Sequence, residues 1–146
     1  MKSAKERQQL LDRAIQQCRD AGLRRTIAMK EALQKLIAAS RPLSISEVAN
    51  AMHEYCDKVT VYRLLDRLEK HGVVRRVGLH EREGHYTMRY PDEHSDYLIC
   101  TECGSVESID VPCPVGELEK ELSERSGFRD LYHELEFFGV CPKCAG

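Results

Sequence analysis

Two C-x-x-C pairs, Cys100 and Cys103 in CTECG and Cys141 and Cys144 in CPKCAG, constrain this chain more than any other feature. Each pair presents two thiolates near one point, and two such hooks complete a tetrahedral four-sulfur set suited to structural Zn2+. The stretch between Cys103 and Cys141 is 37 residues, longer than the usual zinc-ribbon span of about 15–20. The metal would therefore clamp a small folded sheet and helix, and would tie down a chain end that otherwise frays. A redox pair is the other reading, but thioredoxin-like chemistry expects C-x-x-C at a strand-to-helix start inside a βαβ pattern, and neither pair has that setting. Seven cysteines is an odd number, and MKSAKERQQLLDRA has no apolar core of a secretion signal, so a disulfide framework does not fit. Cys18 reads as core packing, while Cys56 and Cys113 stay open between packing and ligation.

The net charge of −2 conceals a polarity. Residues 1–90 hold 18 Lys and Arg against 11 Asp and Glu, whereas residues 91–146 hold 4 against 13. Only the first part suits a polyanion. No stretch approaches the apolar run of a membrane span, so the expected location is cytoplasmic.

Apolar residues at helical spacing (Leu10, Leu11, Ala14, Ile15, Cys18) predict a first amphipathic helix stopped near Gly22. Thr26 caps a second, with Met29, Ala32, Leu33, Leu36 and Ile37 inward. Ser44 to Glu47 matches a capping box opening a short third helix, and Asp57 opens a fourth, in which Val61, Leu64, Leu65 and Leu68 share one face. Two short helices back to back suggest helix-turn-helix, and VVRRV and HYTMRY around GLHEREG read as a hairpin, hence a wing. After Pro91 the pattern becomes α+β, with strand candidates YLIC, SVESIDV and LYHELEFFGVC around the acidic helix GELEKELSERSG.

On the fourth helix Thr60, Arg63, Arg67 and Lys70 gather opposite the apolar face. By frequency alone such a face is simply solvated. Its place after a helix-turn-helix signal, ahead of a wing strand carrying Arg75 and Arg76 and within the basic half, points instead to double-stranded DNA. In that geometry Thr60, Tyr62 and Arg63 address bases and nearby phosphates, with Arg63 the leading base reader, while Lys58, Arg67, Lys70, Arg24 and Arg25 address phosphates.

With GLRRT, VTVYRLLDRLEKHGVV, HSDYLICTECGSVE, GF and H-x7-C-x-x-C in this order, the chain resembles the ferric-uptake-regulator family of metal-dependent repressors over nearly its whole length. The resemblance implies a winged-helix DNA-binding domain over residues 1–90 and a small α/β dimerisation and metal-sensing domain over residues 91–146. It also implies homodimers on inverted repeats, and a metal-set angle between the domains. A regulatory site would map to His94, Asp96, His133 and a glutamate best matched by Glu117, a mixed nitrogen and oxygen set suited to Fe2+, Mn2+ or Zn2+. For His133 a second reading is open, because it alternates with Leu131, Leu135 and Phe137 along an apolar strand face and could be a core histidine.

The family's second sensing site departs from pattern, since its common HHDH is His94-Ser95-Asp96-Tyr97 here, Ser108 stands where an acidic ligand is expected and Thr87 stands near another. His80 and His85, with Glu81 or Glu83, are the nearby residues that could substitute; solvated loop histidines are the plainer reading. A metal bridging the segment from Pro91 to His94 would favour one angle between the domains and so one spacing of two recognition helices. Rival expectations are a peroxide-sensing repressor of the same family and a zinc-stabilised protein-interaction module that does not touch DNA. No nucleophile motif, phosphate loop or HExxH pattern supports an enzyme, so neither a small-molecule substrate nor a membrane is expected as partner.

Overall fold

Each helix of the amino-terminal unit begins on a side-chain oxygen placed to catch an amide. Ser3 and Glu6 form a capping box on α1 (Ala4–Asp20), and Thr26 Oγ1 accepts from the Met29 amide at 3.1 Å to open α2 (Ile27–Ala38). Ser44 and Glu47 form a second capping box on α3 (Ile45–Ala51), and Asp57 Oδ1 accepts from the Thr60 amide at 2.8 Å on α4 (Lys58–Lys70). Such caps are each worth about 1 kcal/mol, enough to fix where a short helix starts. The computed structural model describes residues 2–79, 82–90 and 95–146.

The four helices bury one face each into a shared core that includes Leu11, Ile15, Cys18, Met29, Leu33, Val48, Val61, Leu65 and Leu68. Cys18 is fully enclosed there, and its thiol is pushed up by that burial, as expected of a packing residue. Strands β2 (Val74–Val77) and β3 (His85–Met88) pair antiparallel, with Val74 opposite Met88 and Val77 opposite His85. A two-residue strand, β1 (Leu43–Ser44), adds to the far side of β3. The result is a winged helix. β1 was not legible in the sequence because two residues carry no alternation.

Strand β2 departs from expectation, since both of its arginines are engaged. Arg75 points inward, its side chain 7% exposed. Arg76 instead donates from Nη2 to the carbonyls of Leu79 and Arg82, at 3.1 and 3.0 Å, and so pins the wing loop. A Cβ at Gly84 would lie 2.5 Å from Arg76 Nε, so this crossing requires glycine. The two side chains support the wing internally and do not form its cationic outer face.

In the second unit β4 (Tyr97–Cys100) is central, with β5 (Val106–Ser108) antiparallel on one side and β6 (Glu136–Gly139) parallel on the other. The parallel pairing requires a crossover, which α5 (Gly116–Ser126) supplies; it closes on Gly127, whose left-handed φ of 75° suits a glycine C-cap. The expected strand from Leu131 onward is shorter than its pattern suggests. Tyr97 pairs with Glu136 as the first rung of β4, so residues 131–135 run past the end of the partner strand, and the Tyr97 amide reaches back to the Leu135 carbonyl, at 3.1 Å. β5 is shortened likewise.

The second unit encloses little apolar surface of its own. Tyr97 and Ile99 are buried against Val77, Leu79 and Val106, so the two sheets meet at the end of β2. No residue of α5 is buried, and Leu118 and Leu122 are about half exposed, at 50% and 48%. Ordering a backbone costs roughly 1–2 kcal/mol per residue; a few buried side chains at about 2 kcal/mol each do not offset that for this unit, so further ties are needed.

Candidate metal centres and nucleic-acid face

Cys100 ends β4, and the turn that follows, with Gly104 at φ 76°, carries Cys103 back toward it. Cys141 caps the short helix α6 (Pro142–Ala145), whose first turn brings the Cys144 amide to 3.0 Å from the Cys141 carbonyl. Proline at the first helical position was the available signal for that turn. All four sulfurs lie within 4.8 Å of one another, with Cys103 and Cys141 Sγ 3.9 Å apart. A tetrahedral zinc with bonds of about 2.3 Å needs sulfurs about 3.8 Å apart, so the donor set fits the ion.

The chemistry of the donors agrees. Backbone amides of Cys103 and Cys141 point at Cys100 Sγ, 3.5 and 3.3 Å away, and hold that thiol down at about 6. Its neighbours act oppositely on Cys144, which is pushed up to about 12 first by its hydrogen bond with Cys141. Four thiolates this close repel one another, so without a cation some stay protonated, and a bound divalent ion lets all four ionise.

On α4 the expected division holds in three dimensions, with Val61, Leu64, Leu65 and Leu68 buried and Thr60, Tyr62, Arg63, Arg67 and Lys70 exposed. Arg24 and Arg25 are exposed in the link between α1 and α2. Two of the cations are partly neutralised. Lys58 Nζ donates to Ser46 Oγ at 2.8 Å and lies 3.5 Å from Glu83, while Lys70 pairs with Asp66 at 3.0 Å. Sequence reasoning passed over Val59, which is 58% exposed at the start of α4 beside Tyr62 at 52%.

The regulatory candidates are brought together unequally. His133 Nδ1 meets the carboxylate of Glu119, and its Nε2 lies 3.0 Å from Cys113 Sγ. The glutamate facing His133 is therefore not Glu117, which is exposed; two residues along a helix are about 200° around it, so both cannot face one side chain. His133 is a polar, engaged residue in an irregular segment, which removes the strand-face premise of the core reading. Asp96 is buried immediately before β4. His94 lies outside the described residues, as do His80, Glu81 and the Pro91 to His94 segment. His85 is half-buried in β3, its imidazole pKa lowered by burial. Among the described residues the four cysteines form the one cluster of three or more donors within reach of a single ion.

A winged helix joined to a small α/β unit that carries a four-cysteine cluster suited to zinc is the architecture of a metal-binding regulator. The profile of the Ferric uptake regulator family matches residues 20–138, and the chain belongs to that family. The ferric uptake regulation protein of Legionella pneumophila is 36% identical over 135 residues, covering 88% of this chain and 96% of that protein. The Helicobacter pylori ferric uptake regulator, whose structure reveals three functional metal-binding sites, superposes with a TM-score of 0.74 at 21% identity, covering 100% of this chain and 98% of that one. The Pseudomonas aeruginosa ferric uptake regulator with manganese gives 0.69 at 24% identity, covering 88% and 98%. Among the described residues no helix is long and apolar enough to cross a membrane.

Proposed function

We propose that this protein is a metal-responsive, sequence-specific DNA-binding transcriptional regulator that acts as a homodimer on inverted-repeat operators. Residues 1–90 form the reader and residues 91–146 the dimerising and metal-sensing unit. The observation that carries the reading is α4: its apolar face is buried and its outward face offers Thr60, Tyr62, Arg63 and Arg67 within a winged helix. Val59 and Tyr62 add apolar surface of the kind that meets thymine methyl groups.

Dimerisation is supported by the bare face of the second sheet. Leu98 and Phe137 are register partners on that face and each is 49% exposed. Leu98 and Phe137 thus leave an uncovered apolar patch on that face, while Phe138 and Val140, at the alternating positions, are exposed on the other. A second copy would cover the patch and supply the burial that α5 and this sheet lack alone.

The four cysteines would hold a structural Zn2+, and His133 with Asp96 and His94 would contribute to a regulatory site for Fe2+, Zn2+ or Mn2+. A divalent ion at such a site supplies charge that draws these donors together. Cytoplasmic DNA is the expected target. The test is operator affinity of the zinc-loaded dimer, with and without each added metal, for wild type, Arg63→Ala and Lys70→Ala. Arg63→Ala should reduce discrimination between operator and random duplex about tenfold or more, since one good base contact is worth about 1–3 kcal/mol. Lys70→Ala should weaken both duplexes alike. Equal losses in both variants would refute the division of roles, and indifference to every duplex would refute the function.

A further inference from the structure

Cys113 and His133 are 20 residues apart in the chain, yet Sγ and Nε2 are 3.0 Å apart. Each side of that contact is held. Pro112 and Pro114 flank Cys113 and restrict the turn ahead of α5. Glu119, on the first turns of α5, holds His133 from behind through Nδ1. A carboxylate on one ring nitrogen fixes the tautomer and leaves the other nitrogen's lone pair aimed outward, the arrangement seen behind metal-bound histidines. Here the aimed nitrogen meets a sulfur.

We propose that Cys113 Sγ and His133 Nε2 are two ligands of one divalent-metal site, with Glu119 positioning the histidine rather than binding the ion, and that the thiolate makes this site zinc-selective. The inference deepens the regulatory-site reading above and rests on it for any effect on DNA. Tetrahedral zinc with bonds of about 2.3 Å to sulfur and about 2.0–2.1 Å to nitrogen separates those atoms by about 3.6 Å, so a small side-chain rotation opens the present contact to the required span. A sulfur donor favours zinc and its tetrahedral analogue cobalt, whereas iron(II) and manganese sites are richer in carboxylate and imidazole. Soft ligation is thus added where the resemblance mapped only nitrogen and oxygen donors. The site is independent of the four-cysteine cluster, whose sulfurs are satisfied by one ion.

The test uses full-length protein carrying one zinc per chain at the four-cysteine cluster, verified by metal analysis, and titrated with Co2+ in the absence of DNA. Wild type should develop a thiolate-to-cobalt charge-transfer band in the near ultraviolet. Cys113→Ser should lose that band while binding cobalt about tenfold or more weakly. Glu119→Gln should keep the band but bind roughly 10–100-fold more weakly, the usual consequence of losing a ligand's outer partner. In unmutated protein, added Zn2+ should slow alkylation of Cys113, read by mass spectrometry of its peptide. No thiolate band in wild type, a band that survives Cys113→Ser, or alkylation of Cys113 indifferent to Zn2+ overturns the assignment. If the band appears and Cys113 is protected while operator affinity ignores the metal, the ligand assignment stands and the metal-responsive function fails.

Discussion

Removing the carboxylate of Glu134 should loosen the join between the two units. Glu134 Oε2 lies 3.3 Å from Arg75 Nε, and its other oxygen binds Arg89. The Arg75 side chain is 7% exposed and that of Glu134 is 32% exposed. Arg75 retains a 2.7 Å hydrogen bond from Nη1 to the Ser95 carbonyl and a stacked Tyr97 ring at 5.0 Å. Among the described residues Nε and Nη2 have no hydrogen-bond partner, so the ion pair is what compensates the buried charge. At 3.3 Å and an effective dielectric of about 20 the gross attraction is about 5 kcal/mol; Glu134's access to water reduces the net figure, and Glu134→Gln should cost about 1.5–3 kcal/mol. Arg75→Met should cost less, because it removes the buried charge together with its need for a partner. The assay is urea unfolding of zinc-loaded protein at one fixed chain concentration, for both single variants and the double variant. A coupling energy below about 0.5 kcal/mol, the additivity error of independent sites, would refute the claim that this pair ties the units.

The remaining expectations are simpler. Glu47 is held down at about 2 from 4.5, first by its hydrogen bonds with Arg41 and then by the Ser44 cap. A depressed carboxylate stabilises the fold above its unfolded pKa and loses that contribution as pH falls, so the stability advantage of wild type over Glu47→Gln should be full above 4.5 and vanish toward 2. With the Arg41 and Glu47 side chains 55% and 38% exposed, that advantage should stay near about 0.5–1 kcal/mol and shrink in salt. Leu98→Asp should shift sedimentation from dimer toward monomer while leaving the helical unit folded; an unchanged dimer would refute the proposed face. Cys141→Ser should abolish tight zinc binding and make the segment from α5 onward sensitive to protease, and full protease resistance in the zinc-free variant would show that the clamp is dispensable.

What the sequence disclosed, and what it withheld, follows from the range of the interactions involved. Local signals spoke clearly: the caps at Thr26, Ser44 and Asp57 and the apolar spacing from Val61 to Leu68 each depend on residues within one or two turns. The cysteine hooks were legible because two thiols three residues apart have few other uses. Contacts between distant segments were not. Arg75 looked like wing charge because nothing in VVRRV reveals Glu134 and Ser95, which reach it from the other unit. Glu117 was the glutamate the family resemblance matched, and Glu119 went unnoticed, because a pattern match carries no helical phase, whereas the contact of α5 with His133 is made from one side. Cys113 stayed open for the same reason, its partner being 20 residues downstream.

The charge polarity of the chain takes on a different meaning in this light. In the rival reading of a zinc-stabilised interaction module, the acidic carboxyl-terminal half would serve as the docking surface for a basic partner protein. Yet the Glu134 carboxylate takes Arg75 and Arg89, and the Glu136 carboxylate accepts from the Gly78 amide at 2.9 Å. Two of the carboxylates are thus engaged within the molecule, one of them on two arginines of the wing strands and their end, while Arg63 and Arg67 of α4 are left facing outward. That separation favours a DNA reader over an adaptor: an acidic docking module would keep its carboxylates for the partner, whereas here Glu134 and Glu136 hold β2 and the residues at its ends and the end of β3.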